Sequence, residues 1–162
     1  MQRTLWVMRH GKSRWDKELP DIRRPLAKRG KRDAKSVGKW MHCMGYHPDL
    51  IISSPAKRAR TTARRVAKAN GYEGTIAIWP GLYEGDVDDC LRALSHLPPD
   101  IASVMIIGHN PLLEELVLLL AERSVDLRTA HVAHLVFDAA CWIDVPNCVG
   151  ELRSVVSPNR LS

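Results

Sequence analysis

Three times along this chain a short apolar run stops at polar residues that lead towards a helix. Leu5 to Met8 ends at Arg9-His10-Gly11, Asp49 to Ser53 continues into Ser54-Pro55, and Val104 to Ile107 ends at Gly108-His109-Asn110-Pro111. Runs of this length, rich in branched residues and lacking alternation, mark strands buried on both faces, which is the habit of parallel sheets. Parallel strands joined by right-handed crossovers carry all their carboxyl ends to one edge, where open α/β sheets hold ligands. The three junctions therefore predict an α/β fold in which Arg9, His10, the Ser53-Ser54-Pro55 helix start and His109 meet.

The intervening segments fit that plan. Ala34, Val37, Met41 and Met44 recur at helical spacing from Lys31 onward, with Gly45 as the C-terminal stop. Ser54 and Pro55 read as a cap and first turn of a helix with an inner stripe of Ala56, Ala59, Ala63, Val66 and Ala67, closed by Gly71. Thr75 to Trp79 reads as a strand, Leu82 to Gly85 as a turn, and Asp86 to about His96 as a helix ended by Pro98-Pro99. Asn110 and Pro111 open a helix whose broad apolar face is Leu112, Leu113, Leu116, Val117, Leu119 and Leu120. His131 to Phe137 and Glu151 to Val156 read as antiparallel strands, with no helix between them.

At 162 residues, with 45% hydrophobic and 26% charged content, the expectation is one globular domain over residues 1–162. The N-terminal apolar run is too short for a signal peptide, and Leu116 to Ala121 is too short to cross a bilayer, so a cytoplasmic protein with no membrane partner is expected. Cys43, Cys90, Cys141 and Cys148 form no Cys-x-x-Cys pair and are expected to be ordinary thiols. His131 and His134, three apart on a strand, point to opposite faces and do not share a metal, so no metal or cofactor is expected.

The net charge of +6 points to anionic partners. Most of the basic run Lys57, Arg58, Arg60, Arg64, Arg65 and Lys68 reads as a solvated helix face, since aromatic content is only 6% and no recognition module accompanies it, while Arg58, in the first turn, is near enough to the sheet edge to reach in; nucleic acid is not expected as a partner. Chemistry narrows the anion. A neutral imidazole is a nucleophile, a guanidinium beside it grips two oxygens, and helix N-termini add N–H groups, which together suit a phosphoryl group. Gly11 permits a close backbone approach or sharp turn. The polar stretch Lys12 to Gly30, with Trp15, Pro20 and Pro25, is long enough to be a functional loop at this site. Trp15, Arg24 and Thr129 are candidates for its border, and Trp6 and Trp40 for the core.

Taken jointly, Arg9-His10-Gly11-Lys12-Ser13 with Trp15-Asp16, Arg24-Pro25-Leu26 with Gly30, Ser53-Ser54-Pro55 with Arg58-Ala59 and Thr62-Ala63, Leu82-Tyr83-Glu84, and Gly108-His109-Asn110-Pro111 resemble the histidine phosphatase superfamily, in particular its small SixA-type phosphohistidine phosphatases. The resemblance implies a phosphoglycerate mutase-like three-layer sandwich with a central, mostly parallel sheet and helices on both faces. It implies His10 as nucleophile, Arg9, Arg58 and His109 as ligands of the phosphoryl oxygens, and Glu84 as candidate acid/base, as in ester-cleaving members. Two departures stand out. Ala27 replaces a frequent Ser or Thr at a helix start, and Glu84 is a carboxylate that some SixA-type members lack. The reaction implied is hydrolysis of phosphohistidine on a protein through a covalent phosphohistidine. The alternatives are a phosphomonoesterase or mutase acting on small phosphate esters, or a non-catalytic module that binds phosphate or nucleic acid.

Overall fold

The computed structural model describes residues 2–161, whose six strands form one sheet in the order β3-β2-β4-β1-β5-β6. The strands are β1 (Gln2–Arg9), β2 (Leu50–Ser53), β3 (Ile76–Ile78), β4 (Ser103–Gly108), β5 (Val132–Asp138) and β6 (Glu151–Val156). The first four are parallel to one another, and β5 runs antiparallel to both β1 and β6. The helices are α1 (Lys28–Cys43), α2 (Lys57–Asn70), the single turn α3 (Gly81–Glu84), α4 (Val87–Ser95) and α5 (Leu112–Ala121).

Alternation along the central strands divides the core into two layers, because successive side chains leave a strand on opposite faces. Leu5 and Val7 of β1, Ile52 of β2, and Val104 and Ile106 of β4 pack with Leu94 of α4 and Leu113, Leu116 and Val117 of α5. Trp6, Met8, Ile51, Met105 and Ile107 face the other way, onto Ala34, Val37 and Met41 of α1 and the alanine stripe of α2. That stripe, Ala56, Ala59, Ala63, Val66 and Ala67, is buried as its spacing predicts. The small side chains let α2 lie close to the sheet and to α1, where Gly38 meets the α2 backbone. The result is the expected three-layer α/β sandwich.

Helix boundaries depart from expectation where caps were read from sequence. Helix α2 begins at Lys57, and Ser54 Oγ instead accepts the Ala56 N–H at 3.2 Å, ahead of the first turn. Asn110 does not cap α5 either. Pro111 occupies that position, and the Asn110 amide donates to the Leu127 carbonyl at 2.6 Å. In both cases the strand-to-helix junction spends its polar side chain on holding neighbouring backbone.

Other differences are local. Leu119 is exposed, so the buried face of α5 is narrower than its sequence suggests. A 3-10 helix, Trp142–Asn147, occupies the segment expected to lack one, with Trp142 and Val145 buried. Trp6 is buried as expected, while Trp40 is only half-buried. By contrast α4 starts on the predicted acidic residues, with a reciprocal capping box between Asp86 and Asp89.

Candidate active site

The sheet order puts β2, β4 and β1 side by side, so the ends of the three runs that opened the sequence analysis are neighbours. Hydrogen bonds lock them in step: the His10 N–H donates to the Gly108 carbonyl and the Ser54 N–H to the Ile107 carbonyl, both at 3.0 Å. On the far side of β1 the Ala130 N–H donates to the carbonyls of Arg9, at 3.0 Å, and His10, at 3.1 Å.

The loop after β1 is pinned to α2 and α1. The Gly11 N–H donates to Thr62 Oγ1 at 3.1 Å, and that hydroxyl donates to the Arg58 carbonyl at 2.7 Å. Gly11 is needed for a close approach, but to protein: a Cβ there would lie 2.7 Å from the Gly30 carbonyl oxygen, and a Cβ on Gly30 would overlap that of Lys12. The two glycines let α1 and the loop touch backbone to backbone.

His10 is buried, with 7% of its surface exposed, and its Nδ1 lies 2.7 Å from the Gly11 carbonyl. A carbonyl oxygen only accepts, so Nδ1 carries the proton and Nε2 holds a free lone pair. Burial lowers the pKa to about 4, with the charges of Arg58, Arg9 and Arg24 adding to the effect against the Gly11 hydrogen bond. His10 is thus an uncharged base at neutral pH, set in one tautomer. His109 lies beside it, with ring centroids 5.1 Å apart. Burial lowers its pKa to about 3, assisted by His10 and Arg58. Its Nε2 is 2.7 Å from Ser54 Oγ. Among the described residues the Ser54 hydroxyl has no other acceptor for its proton, so it donates to Nε2 and the ring proton of His109 sits on Nδ1.

Arg58 reaches the same edge from the first turn of α2 and is also buried. Its guanidinium donates to both the main-chain carbonyl of Asp21, at 2.7 Å, and Asp21 Oδ2, at 2.9 Å. Tyr83 Oη donates to the same carboxylate oxygen at 2.8 Å, and Arg24 Nε to Oδ1 at 3.1 Å. Burial of Asp21 works against its charge, yet the hydrogen bonds from Tyr83, Arg58 and Arg24 hold its pKa at about 2. The loop between β1 and α1 therefore orients Arg58 through a permanently ionised carboxylate.

Among the described residues, three buried nitrogens of the converging side chains have no partner: Arg9 Nε, Arg58 Nε and His109 Nδ1. Buried N–H groups of folded proteins are almost always satisfied, so three orphan donors beside one unprotonated imidazole nitrogen describe a place for an oxyanion. Chemically the arrangement offers an attacking lone pair together with charged and neutral donors for the oxygens of a tetrahedral dianion.

Of the residues singled out from sequence, Arg9, His10, Arg58 and His109 converge. Glu84 does not join them: it is exposed at the end of α3, where its N–H donates to the Pro80 carbonyl at 3.1 Å and its carboxylate makes no hydrogen bond or ion pair among the described residues. Its neighbour Tyr83 stands edge-on to His109 at 5.6 Å. Trp15 is 74% exposed and carries the Arg24 guanidinium 5.3 Å above its ring. Arg24 takes part through Asp21, and Thr129 flanks Ala130. His134 is buried against Trp6 and Tyr46, away from His131, and among the described residues no cluster of three His, Cys, Asp or Glu side chains is placed to hold a metal. Asp21 and Tyr83 were missed. The signal for Asp21 was indirect: an arginine buried at a helix start needs a carboxylate, and the adjoining loop offers Asp16, Glu18 and Asp21.

Comparison with known proteins agrees with this geometry. The family model of the histidine phosphatase superfamily, branch 1, matches residues 5–96, a span that holds His10, Arg58 and Glu84. An uncharacterized chloroplastic protein of Arabidopsis thaliana is 33% identical over 173 aligned positions, covering 98% of this chain and 79% of its own. Among solved structures, the protein histidine phosphatase SixA complexed with tungstate superposes with a TM-score of 0.87 at 26% identity, covering 98% of this chain and 99% of that one. A mycobacterial glucosyl-3-phosphoglycerate phosphatase shares the fold, with a TM-score of 0.73 at 14% identity over 94% of this chain and 98% of its own. With its family model, its SixA-like structure and a paired-histidine pocket at the sheet edge all in agreement, this chain belongs to the histidine phosphatase superfamily and is of the SixA type.

Proposed function

We propose that this phosphatase removes the phosphoryl group from a phosphohistidine carried on a protein, with His10 as the covalent carrier. The observation that supports this most is the buried His10, its Nδ1 proton fixed on the Gly11 carbonyl and its Nε2 unprotonated beside the orphan donors of Arg9, Arg58 and His109. In the first step Nε2 bonds to phosphorus as the P–N bond of the substrate breaks. The electron pair leaves on the substrate imidazole, which takes up a proton from solvent. Water then attacks the phosphorus of phosphorylated His10, the enzyme's P–N bond breaks, and inorganic phosphate leaves with His10 restored. The two arginines neutralise, and the uncharged His109 Nδ1–H hydrogen-bonds, oxygens whose charge is redistributed in both transition states.

The choice of phosphohistidine rests on the leaving group. An imidazole, with a conjugate-acid pKa of about 6.5, departs at neutral pH with little help. The exposed, unpaired Glu84 matches that requirement, since it is not held against the site. The SixA relative named as a protein histidine phosphatase points the same way. Small phosphate esters are the second reading, favoured by the presence of Glu84 beside Tyr83 at the rim. Purified protein assayed in parallel on a phosphohistidine peptide and on small phosphate monoesters tests the proposal. The expected result is faster turnover of the peptide, and preference for an ester at equal concentration contradicts it.

A further inference from the structure

Beside the nucleophile, on the β5 side, lies a cavity of about 350 Å³ lined by Arg29, Arg128, Thr129, His131, Asn159 and Arg160 among others. We propose that it is a second, anion-binding subsite that receives an acidic stretch of the phosphorylated protein next to its phosphohistidine. The proposal rests on the substrate reading above.

Placement is the first argument. Thr129 and His131 flank Ala130, whose N–H is bonded to the carbonyls of Arg9 and His10, and the His131 carbonyl accepts the Arg9 N–H at 3.2 Å. The cavity wall is thus stitched to the backbone of the nucleophile, about one inter-strand spacing of ~5 Å away. A chain whose phosphohistidine occupies the His10 pocket would have its neighbouring residues within reach of this cavity.

Charge is the second argument. Three guanidiniums reach the cavity from three separate segments: the start of α1, the stretch before β5, and the 3-10 turn Pro158–Arg160 that follows β6. None of the described residues lining it is a carboxylate. Two of the arginines have local partners, Arg29 with Asp33 at 3.7 Å and Arg128 with Asp126 at 3.2 Å. The Arg128–Asp126 pair, exposed on both sides, holds weakly and leaves Arg128 available to another anion, whereas Arg29 turns its Nε towards a largely buried Asp33 and keeps its other N–H groups for a ligand. Exposure decides between a small ligand and a macromolecule. The Arg29 and Arg128 side chains are 57% and 76% exposed, which suits carboxylates on a protein surface better than an enclosed metabolite.

The test uses two phosphohistidine peptides of equal length, one flanked by glutamates and one by glutamines, with the full chain and two triple variants. R29Q/R128Q/R160Q alters the cavity, whereas K35Q/R65Q/K68Q removes the same charge from the α1–α2 surface. The parent and the second variant are expected to show a KM about tenfold lower for the glutamate peptide at low salt, with similar kcat for both peptides. In the first variant the KM for the glutamate peptide rises to that of the glutamine peptide. Anisotropy of a labelled, unphosphorylated glutamate peptide, with an oligonucleotide as competitor, reads the subsite without turnover. Tighter binding by the parent than by R29Q/R128Q/R160Q supports it even if neither phosphohistidine peptide is cleaved, a result that overturns the substrate reading alone. Equal peptide KM values in the parent, equal losses in both triple variants, or displacement by oligonucleotide at concentrations far below those of competing peptide overturn the subsite.

Discussion

His10 is useful because of what holds it rather than because it is a histidine. A solvated imidazole is partly protonated near neutral pH and exchanges tautomers freely, whereas here burial removes the charge and one carbonyl fixes the proton on Nδ1. Glu84 shows the opposite condition, exposed and unheld on the single turn α3. That contrast makes its contribution depend on the leaving group. An alkyl phosphate expels an alkoxide whose conjugate acid resembles water, at a pKa of about 15.7, so protonation matters greatly there and little for an imidazole. Glu84→Gln is therefore expected to slow ester hydrolysis on the order of a hundredfold, with a far smaller effect on a phosphohistidine peptide, as parallel kcat/KM measurements will read. Equal loss on both substrates contradicts this and assigns Glu84 to handling of the phosphoryl group or the second-step water.

Helix α2 has one end at the candidate site and one ordinary surface, and its arginines differ accordingly. Arg58 is buried and clamped by Asp21, whereas Arg65 is exposed two turns on. Arg58→Ala is expected to weaken tungstate or phosphate binding and lower kcat/KM by tenfold or more, about 1.5–3 kcal/mol, while Arg65→Ala changes little. Equal effects, read by calorimetry and initial rates, would mean that the whole basic face acts at long range. How far such elements were legible in the sequence follows their physics. The strands announced themselves through unbroken apolar runs, and α2 through its alanine stripe, because burial periodicity is local information. The caps were misjudged because Ser54 and Asn110 had tertiary alternatives, the His109 ring and the Leu127 carbonyl, that no local pattern reveals. Asp21 and Tyr83 were illegible for the same reason: their roles exist only once the loop after β1, α2 and α3 meet.

Across the molecule, the adjacent parallel strands β2, β4 and β1 bring together residues 9, 10, 54, 58 and 109, which lie far apart in sequence, and the fold bears the cost of burying two histidines. With pKa values lowered to about 4 for His10 and about 3 for His109, the unfolded chain binds protons that the folded chain refuses as pH drops below 6.5. Stability therefore rises with pH through that window, and the contribution present above 6.5 is lost progressively down to about pH 3. Denaturant unfolding between pH 7 and 4 is expected to show this decline, and His109→Gln is expected to flatten it. A stability that is level over that range contradicts the burial argument. The central claim is that the phosphoryl group passes through His10, and rapid quenching of the enzyme with a phosphohistidine peptide, followed by mass-spectrometric mapping, tests it most directly. An acid-labile phosphoryl group on His10 that forms and decays at the rate of turnover is expected, with neither phosphoenzyme nor turnover in His10→Ala. Steady turnover with no phosphoryl group on His10, or near-parental activity in a folded His10→Ala protein, would contradict it.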